Sequence, residues 1–124
     1  MTLEELYESI GADYDQALRV LRMDKLIDKH ICKLTKNGVI DSLIAAGDTM
    51  DPTQLFESAH AVKGICANLG LVGIAEAASD IAEEYRPGNP RTLSDDEVKE
   101  KIRAIDEAYQ KTKTGIDAYV SAKA

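Results

Sequence analysis

Apolar residues recur at helical spacing along most of the chain, in segments separated by glycine, asparagine or proline. Recurrence at three and four residues predicts amphipathic helices, each with one stripe facing a core. We predict helices at residues 2–10, 13–22, 24–36, 39–46, 52–69, 72–85 and 95–121. Because the connections between the long segments are short, neighbours should be antiparallel. The predicted fold is all-α, an up-and-down antiparallel four-helix bundle with short extra N-terminal helices.

The helix at 52–69 has the clearest start signal in the chain. Asp51 is a predicted N-cap, Pro52 suits the first helical position, and Gln54 is placed to complete a capping box. Gly70 is expected to end the helix. These signals predict where the helix begins and ends.

Composition and charge narrow the class of protein. The 124 residues are 44% apolar and 30% charged, which suits a single domain that encloses its own core. The net charge is −7 and no basic patch is present, so we do not expect nucleic acid as a partner. The N-terminus is acidic and capped like a helix, and no apolar run approaches the length of a membrane span. We therefore expect a cytoplasmic protein with no membrane contact.

The two cysteines, Cys32 and Cys66, fall inside apolar-periodic segments. We expect buried free thiols, since the cytosol keeps thiols reduced and free cysteine is among the most buried residue types. A zinc site built from these cysteines with His30 and His60 is an alternative, but it lacks the CxxC spacing and needs ligands from two helices. We expect no bound metal.

The helix at 52–69 has a core face and an outer face of unusual composition. At roughly 100° per residue, the core stripe comprises Leu55, Ala59, Val62, Cys66 and Leu69, with Ile65 and Ser58 at its edge. The outer face comprises His60, Gly64 and Ala67, flanked by Lys63, Glu57 and Asn68. A glycine inside a helix costs about 1 kcal/mol relative to alanine, so Gly64 indicates that this face serves a purpose other than helix stability.

The outer face combines a nucleophile, a cation and small residues. An exposed imidazole is largely neutral at neutral pH, so His60 can act as a nucleophile. Lys63, one turn along, can neutralise an anion attached to that ring. Gly64 and Ala67 clear a groove in which a protein pocket can close over the ring. His30 has no such groove, and we expect it to be a surface or edge residue.

The stretch AHAVKGICANLG resembles the signature of the histidine phosphotransfer (HPt) domain family. That signature has an alanine or similar residue, then His-x-x-Lys-Gly, then a small-residue stretch ending in Leu-Gly. The residues that match it are His60, Lys63, Gly64, Leu69 and Gly70. The segments AAGD and AEAASDIAEE on either side also look like the family, so the resemblance covers about residues 40–86.

The resemblance implies that His60 accepts a phosphoryl group through Nε2 from the aspartate of a receiver domain and passes it to another such aspartate. It implies a phosphocarrier without ATP-dependent kinase activity of its own. The expected partners of this monomeric protein are response-regulator receiver domains, a histidine kinase, or both. We expect no cofactor on the chain itself, because the receiver domain would supply Mg²⁺. The docking residues would be Phe56, Glu57, Gly64, Ala67 and Asn68, around the catalytic pair His60 and Lys63.

One position departs from the family pattern. Many members carry a polar residue, often glutamine, on the next helix to hold the second ring nitrogen of the histidine. An ungapped alignment places Ala82 there. Ser79, Glu83 or a water molecule would have to take that role.

Three alternatives stay open at this point. The chain could be the phosphoacceptor domain of a chemotaxis-type histidine kinase, which needs an ATP-binding domain that these 124 residues do not include. It could be a non-catalytic helical adaptor, which would bind its partner equally well with His60 replaced. A metal- or haem-binding bundle would instead purify with its stoichiometric metal.

Overall fold

The computed structural model describes residues 1–123, and this part of the chain is helical, with no strand. The helices are α1 (Leu3–Ile10), α2 (Tyr14–Leu21), α3 (Asp24–Leu34), α4 (Val39–Thr49), α5 (Pro52–Asn68), α6 (Val72–Tyr85) and α7 (Asp95–Lys123). The all-α prediction is confirmed. No helix within the described range is both long enough and apolar enough to cross a membrane.

Helices α4 to α7 form the four-helix bundle. They pack in a closed ring, α4 on α5, α5 on α6, α6 on α7 and α7 on α4. Two residues connect α4 to α5 and three connect α5 to α6, so consecutive helices reverse direction. The centre of the bundle is filled by fully buried apolar side chains, among them Leu43, Leu55, Val62, Ile81 and Ile105.

Helices α1 and α3 lie against α7, and α2 lies against α5. At Gly115 in α7, an added Cβ would collide with Ile10 of α1, so this glycine permits a close helix contact. Further along α7, the hydroxyl of Tyr119 and the ammonium of Lys123 both donate to the Asp28 carboxylate of α3 at 2.6 Å. Helices α1 and α3 therefore extend the bundle along its longest helix, α7.

The observed ends of α3 and α4 differ from the predicted ones for identifiable reasons. Helix α3 ends at Leu34 rather than residue 36, because the chain turns there into Gly38, whose φ is +72°. Helix α4 was expected to end at residue 46 but continues to Thr49. Gly47 is buried in that last turn, and an added Cβ would lie 2.9 Å from Cδ1 of Ile102 on α7. This glycine makes room for a helix contact rather than ending the helix.

Candidate functional site

Helix α5 carries the predicted site on the outside of the bundle. Its core stripe is confirmed, since the buried residues at this helix and its cap are Leu55, Ala59, Val62, Cys66 and Leu69. Ile65 and Ser58 are half-buried at the edges of the stripe. His60 is exposed on the opposite side. The register predicted from the sequence therefore places the imidazole in solvent.

Asp51 and Pro52 begin α5 as predicted, but the predicted capping box is not formed. The carboxylate of Asp51 accepts from the backbone N–H of Thr53 at 3.3 Å. The Gln54 side chain does not complete a capping box, because it accepts instead from the Thr49 hydroxyl at 3.3 Å. Side-chain hydrogen bonds of Asp51 and Gln54 thus stabilise the connection between α4 and α5.

The C-terminal end of α5 is tied to the α1–α2 connection. The Tyr7 hydroxyl donates to the backbone carbonyl of Leu69 at 2.7 Å, and the backbone N–H of Asp13 donates to the carbonyl of Gly70 at 2.8 Å. Gly70 has φ +75°, and any Cβ there would collide with the Asp13 carbonyl oxygen. Glycine is therefore required at this position for the packing of the helix end.

The imidazole of His60 stacks on a neighbouring aromatic ring. The ring centroids of Phe56 and His60 are 5.8 Å apart and their planes are inclined by 23°. Phe56 is half-buried and packs against the core, so it gives the exposed imidazole a fixed neighbour. Throughout residues 1–123, no side chain is hydrogen-bonded to the imidazole. Both of its ring nitrogens are left to solvent or to an incoming partner.

Arg86 covers Phe56. The carbon of its guanidinium lies 5.5 Å from the Phe56 ring centroid, at a distance typical of a cation–π contact. The guanidinium is held by Glu83, through Nε at 3.2 Å from both carboxylate oxygens and a second nitrogen at 2.7 Å. This hydrogen-bonded pair lowers the pKa of Glu83 and raises that of Arg86. The contact of Arg86 depends on how α6 lies against α5, so no local sequence pattern predicts it.

Lys63 points toward α6 rather than directly outward. It is half-buried and lines a groove of about 350 Å³ between α5, α6 and the start of α2. The other residues of this α5–α6 groove are Asp13, Gln16, Ala67, Val72, Ala75, Glu76 and Ser79. After the Arg86 hydrogen bond, the positive charge of Lys63 also helps to lower the pKa of Glu83. In this structure, the ammonium of Lys63 is therefore close enough to the Glu83 carboxylate to affect its pKa.

The five predicted docking residues surround His60 on different sides. Gly64 is exposed, and a Cβ added there would meet nothing within 4 Å. Ala67 lies in the α5–α6 groove, whereas Glu57 lines a second groove toward α4. Asn68 is exposed near the end of the helix, and Phe56 lies beneath Arg86. Their roles in docking stay predictions.

The residues considered for holding the second ring nitrogen do not contact it. Ala82 is fully buried in the bundle. The Glu83 carboxylate is occupied by Arg86, and Ser79 lies in the α5–α6 groove with no hydrogen bond to the imidazole. No protein side chain in the described chain takes the place of the glutamine common in the family.

The two cysteines differ in burial. Cys66 is fully buried, and burial raises its pKa to about 12. Cys32 was expected to be buried but is half-buried, because α3 lies at the edge of the fold. Burial and the negative charge of Asp28 raise the pKa of Cys32. Among residues 1–123, no three histidine, cysteine, aspartate or glutamate side chains are grouped to hold a metal ion, so the zinc alternative finds no assembled site.

The buried carboxylate of Glu84 fixes residues 91–93 in the loop that follows Arg86. Glu84 accepts from the backbone N–H groups of Thr92 and Leu93, both at 2.8 Å, and from Nε of Arg91 at 2.9 Å. The hydroxyl of Thr92 adds a fourth hydrogen bond at 2.9 Å. Burial alone would raise the pKa of Glu84, but these hydrogen bonds outweigh it and lower the pKa to about 2.

Comparison with protein families matches residues 2–113 to the model of the Hpt domain. The matched region extends on both sides beyond the residues 40–86 that carry the visible resemblance. Comparisons with the curated proteins and with the solved structures gave no significant match. The family match therefore stands on nearly the whole described bundle rather than on the short histidine motif.

Proposed function

Because the chain belongs to the Hpt domain family, we propose that it relays a phosphoryl group between the aspartates of receiver domains, with His60 as the carrier. The observation that carries this proposal is the exposed imidazole on the outer face of α5, opposite a fully buried core stripe. Lys63 stands one turn along, and the open position of Gly64 lies beside them. The family match supports histidine phosphotransfer, and the site residues are our assignment.

The proposed step is a displacement at phosphorus. A lone pair of His60, on Nε2 by resemblance to the family, forms a bond to the phosphorus of an aspartyl phosphate. The P–O bond to the aspartate breaks, and its electron pair stays on the carboxylate. The proton on the other ring nitrogen can pass to solvent, which neutralises the phosphorylated ring. The reverse reaction on a second aspartate completes the relay.

Charge and space on α5 suit this step. Phosphoryl transfer depends mainly on positioning and on neutralising the charge of the phosphoryl oxygens. The Lys63 ammonium can turn from the α5–α6 groove toward a phosphoryl group on His60, where it would make a charge-assisted hydrogen bond. The receiver domain would bring the Mg²⁺ that its own aspartate site needs.

The partner that fits this surface is a receiver domain whose pocket closes over the imidazole. Gly64 presents no side chain to such a pocket, and its Cβ position is open. The half-buried Ala67 and the exposed Asn68 extend the surface toward the end of α5, and Glu57 extends it toward α4. A convex helix face with a recessed position beside the nucleophile suits insertion into an aspartate pocket.

The test is transfer of labelled phosphate from phosphorylated receiver domains of the same organism, each mixed with this protein. Label should reach the wild type and His30→Gln but not His60→Gln, and it should be acid-labile and alkali-stable, as a phosphoramidate is. His30 is the matched control because it is the other histidine and is also exposed. Equal labelling of wild type and His60→Gln would refute the proposal. Label that arrives only from the ATP-binding domain of a kinase would replace the relay by a kinase phosphoacceptor function.

A further inference from the structure

We propose that Phe56 is a positioning residue, which holds the imidazole of His60 by stacking, and that Arg86 and Glu83 hold Phe56 in turn. This inference rests on the proposed function, because it concerns how the phosphoacceptor ring is presented. It assigns Phe56 a role in orienting the ring that differs from contact with a partner.

A continuous set of contacts leads from α6 to the ring. Glu83 on α6 binds the Arg86 guanidinium with three hydrogen bonds of 2.7 to 3.2 Å. The guanidinium lies over the Phe56 ring at 5.5 Å, and Phe56 stacks on His60 at 5.8 Å. Phe56 also packs against the core, which restricts its own rotation. The imidazole of His60 therefore rests on Phe56 of α5, which is in turn contacted by Arg86 at the end of α6.

Stacking can orient an imidazole without occupying its nitrogens. Aromatic pairs with centroids 4.5 to 7 Å apart in an offset arrangement attract each other, and the Phe56–His60 pair lies within that range. The lone pair of a ring nitrogen lies in the plane of the ring, so a neighbour on the ring face does not block attack at phosphorus. A hydrogen bond to one nitrogen would restrict the ring equally well but would also fix which nitrogen carries the proton.

The position of Phe56 on the helix explains why it can act in this way. Phe56 and His60 are four residues apart, so their side chains lie one above the other on the same face of α5. No side chain in the described residues is hydrogen-bonded to the imidazole. Loss of the Phe56 ring should then leave the imidazole free to rotate away from the orientation that meets an incoming phosphoryl group.

The experiment compares Phe56→Leu, Phe56→Tyr and Arg86→Gln with the wild type, each first checked by circular dichroism for the helical fold. One readout is the proton NMR spectrum of the histidine rings, in which the Phe56 ring current should shift His60 signals upfield. His30 is an internal reference in the same spectrum. The second readout is phosphorylation by phosphoramidate, in which the His60 nitrogen bonds to phosphorus, the P–N bond of the donor breaks and ammonia leaves. This small donor needs no docking surface, unlike a receiver domain.

We expect Phe56→Leu to move the His60 signals downfield, to leave His30 unchanged and to slow phosphorylation by phosphoramidate about two- to tenfold. Phe56→Tyr keeps the aromatic face and should restore both readouts. Arg86→Gln removes no core contact and should produce smaller changes of the same sign. Unchanged His60 signals in both Phe56→Leu and Arg86→Gln would overturn the inference. A Phe56→Leu protein that is phosphorylated more slowly by receiver domains but at the wild-type rate by phosphoramidate would also overturn the inference, because Phe56 would then be a docking contact.

Failure of the relay itself would give a different pattern. If no receiver domain labels the wild type, but the ring signals and the phosphoramidate rates still follow the identity of residue 56, the relay is wrong and the positioning role of Phe56 stands. If receiver domains label the wild type and Phe56→Leu at equal rates, and phosphoramidate does too, the relay stands and the positioning role is wrong.

Discussion

The hydroxyl of Tyr7 donates a buried hydrogen bond of 2.7 Å to the backbone carbonyl of Leu69, which joins α1 to the cap of α5, the helix that carries His60. Burial raises the pKa of Tyr7, so its hydroxyl keeps the proton that it donates. The last turn of a helix leaves carbonyl groups without helical partners, and this bond satisfies one of them. The N-terminal helices therefore contribute directly to the end of the helix that carries His60.

We expect Tyr7→Phe to destabilise the protein by about 1–3 kcal/mol, because it leaves a buried carbonyl without this donor. Urea unfolding followed by circular dichroism measures the change. Tyr14→Phe is the matched control, since Tyr14 bonds Asp24 in an exposed position, and its effect should stay within about 0.5 kcal/mol. Equal stability of Tyr7→Phe and wild type would show that the Tyr7–Leu69 bond adds nothing to the fold.

Replacing Lys63 should separate charge neutralisation from folding. Lys63→Ala would remove the charge-assisted hydrogen bond that we propose to the phosphoryl group, worth about 1.5–3 kcal/mol, so transfer from a receiver domain should slow about ten- to a hundredfold. A time course of label transfer measures this effect. Lys111→Ala, at an exposed position on α7, should transfer at the wild-type rate. A wild-type rate for Lys63→Ala would mean that the receiver carries all of the charge neutralisation.

Gly64 should affect stability and transfer in opposite directions. Its Cβ position is open and its backbone is helical, so Gly64→Ala should raise the free energy of unfolding by about 0.5–1 kcal/mol. Gly64→Gln should also fold, but it should transfer phosphate far more slowly because its side chain stands where the receiver pocket closes. Chemical denaturation and a transfer time course on the same samples measure both effects.

Gly115 is the contrasting control for the stability effect. A Cβ there would collide with Ile10, so Gly115→Ala should lower stability by about 1–3 kcal/mol although the residue is also helical. If Gly64→Gln unfolds, the residue is not at an open position. If it transfers at the wild-type rate, the recess beside His60 is not needed for docking.

Glu84 should make part of the stability depend on pH in the acid range. The folded protein keeps this carboxylate ionised down to about pH 2, whereas the usual pKa is 4.5. The unfolded chain therefore binds more protons between these values. The contribution of Glu84 is present above about pH 4.5 and is lost as the pH falls toward 2.

Glu84→Gln should destabilise the protein by about 1.5–3 kcal/mol near neutral pH, through weaker hydrogen bonds to Arg91, Thr92 and Leu93. The difference from wild type should shrink in urea unfolding measured at about pH 3. Glu107→Gln, exposed on α7, should match the wild type at both pH values. A difference between Glu84→Gln and wild type that does not change with pH would contradict the role of the charge.

The sequence was sufficient to predict the outer face of α5 because an amphipathic helix repeats a local rule. The cap at Asp51 and the spacing from Leu55 to Cys66 define the register, and the register places His60 in solvent. The residues that resemble the family signature, from His60 to Gly70, lie in that one helix and its cap. Helical periodicity thus predicted both the core stripe and the exposure of the imidazole.

The support of the ring could not be predicted in the same way. Arg86 lies in sequence after α6, and only the packing of α6 on α5 brings it over Phe56. No local sequence pattern distinguishes Glu84 from an exposed glutamate, and its burial depends on the path of the loop that brings Thr92 back to it. Gly47 suggested a helix end, yet a tertiary contact with Ile102 decided its role. Each of these outcomes depends on contacts between segments distant in the chain.

The reactivity of the buried Cys66 thiol can report how often α5 separates from the bundle. The thiolate is the reactive form of cysteine, and a fully buried thiol with a pKa of about 12 is protected from alkylation while the core is closed. In a Cys32→Ser variant, the alkylation rate of Cys66 therefore measures how often α5, the helix that carries His60, moves away from the core. The same chemistry can show whether phosphorylation on the outer face changes the frequency of opening on the inner one.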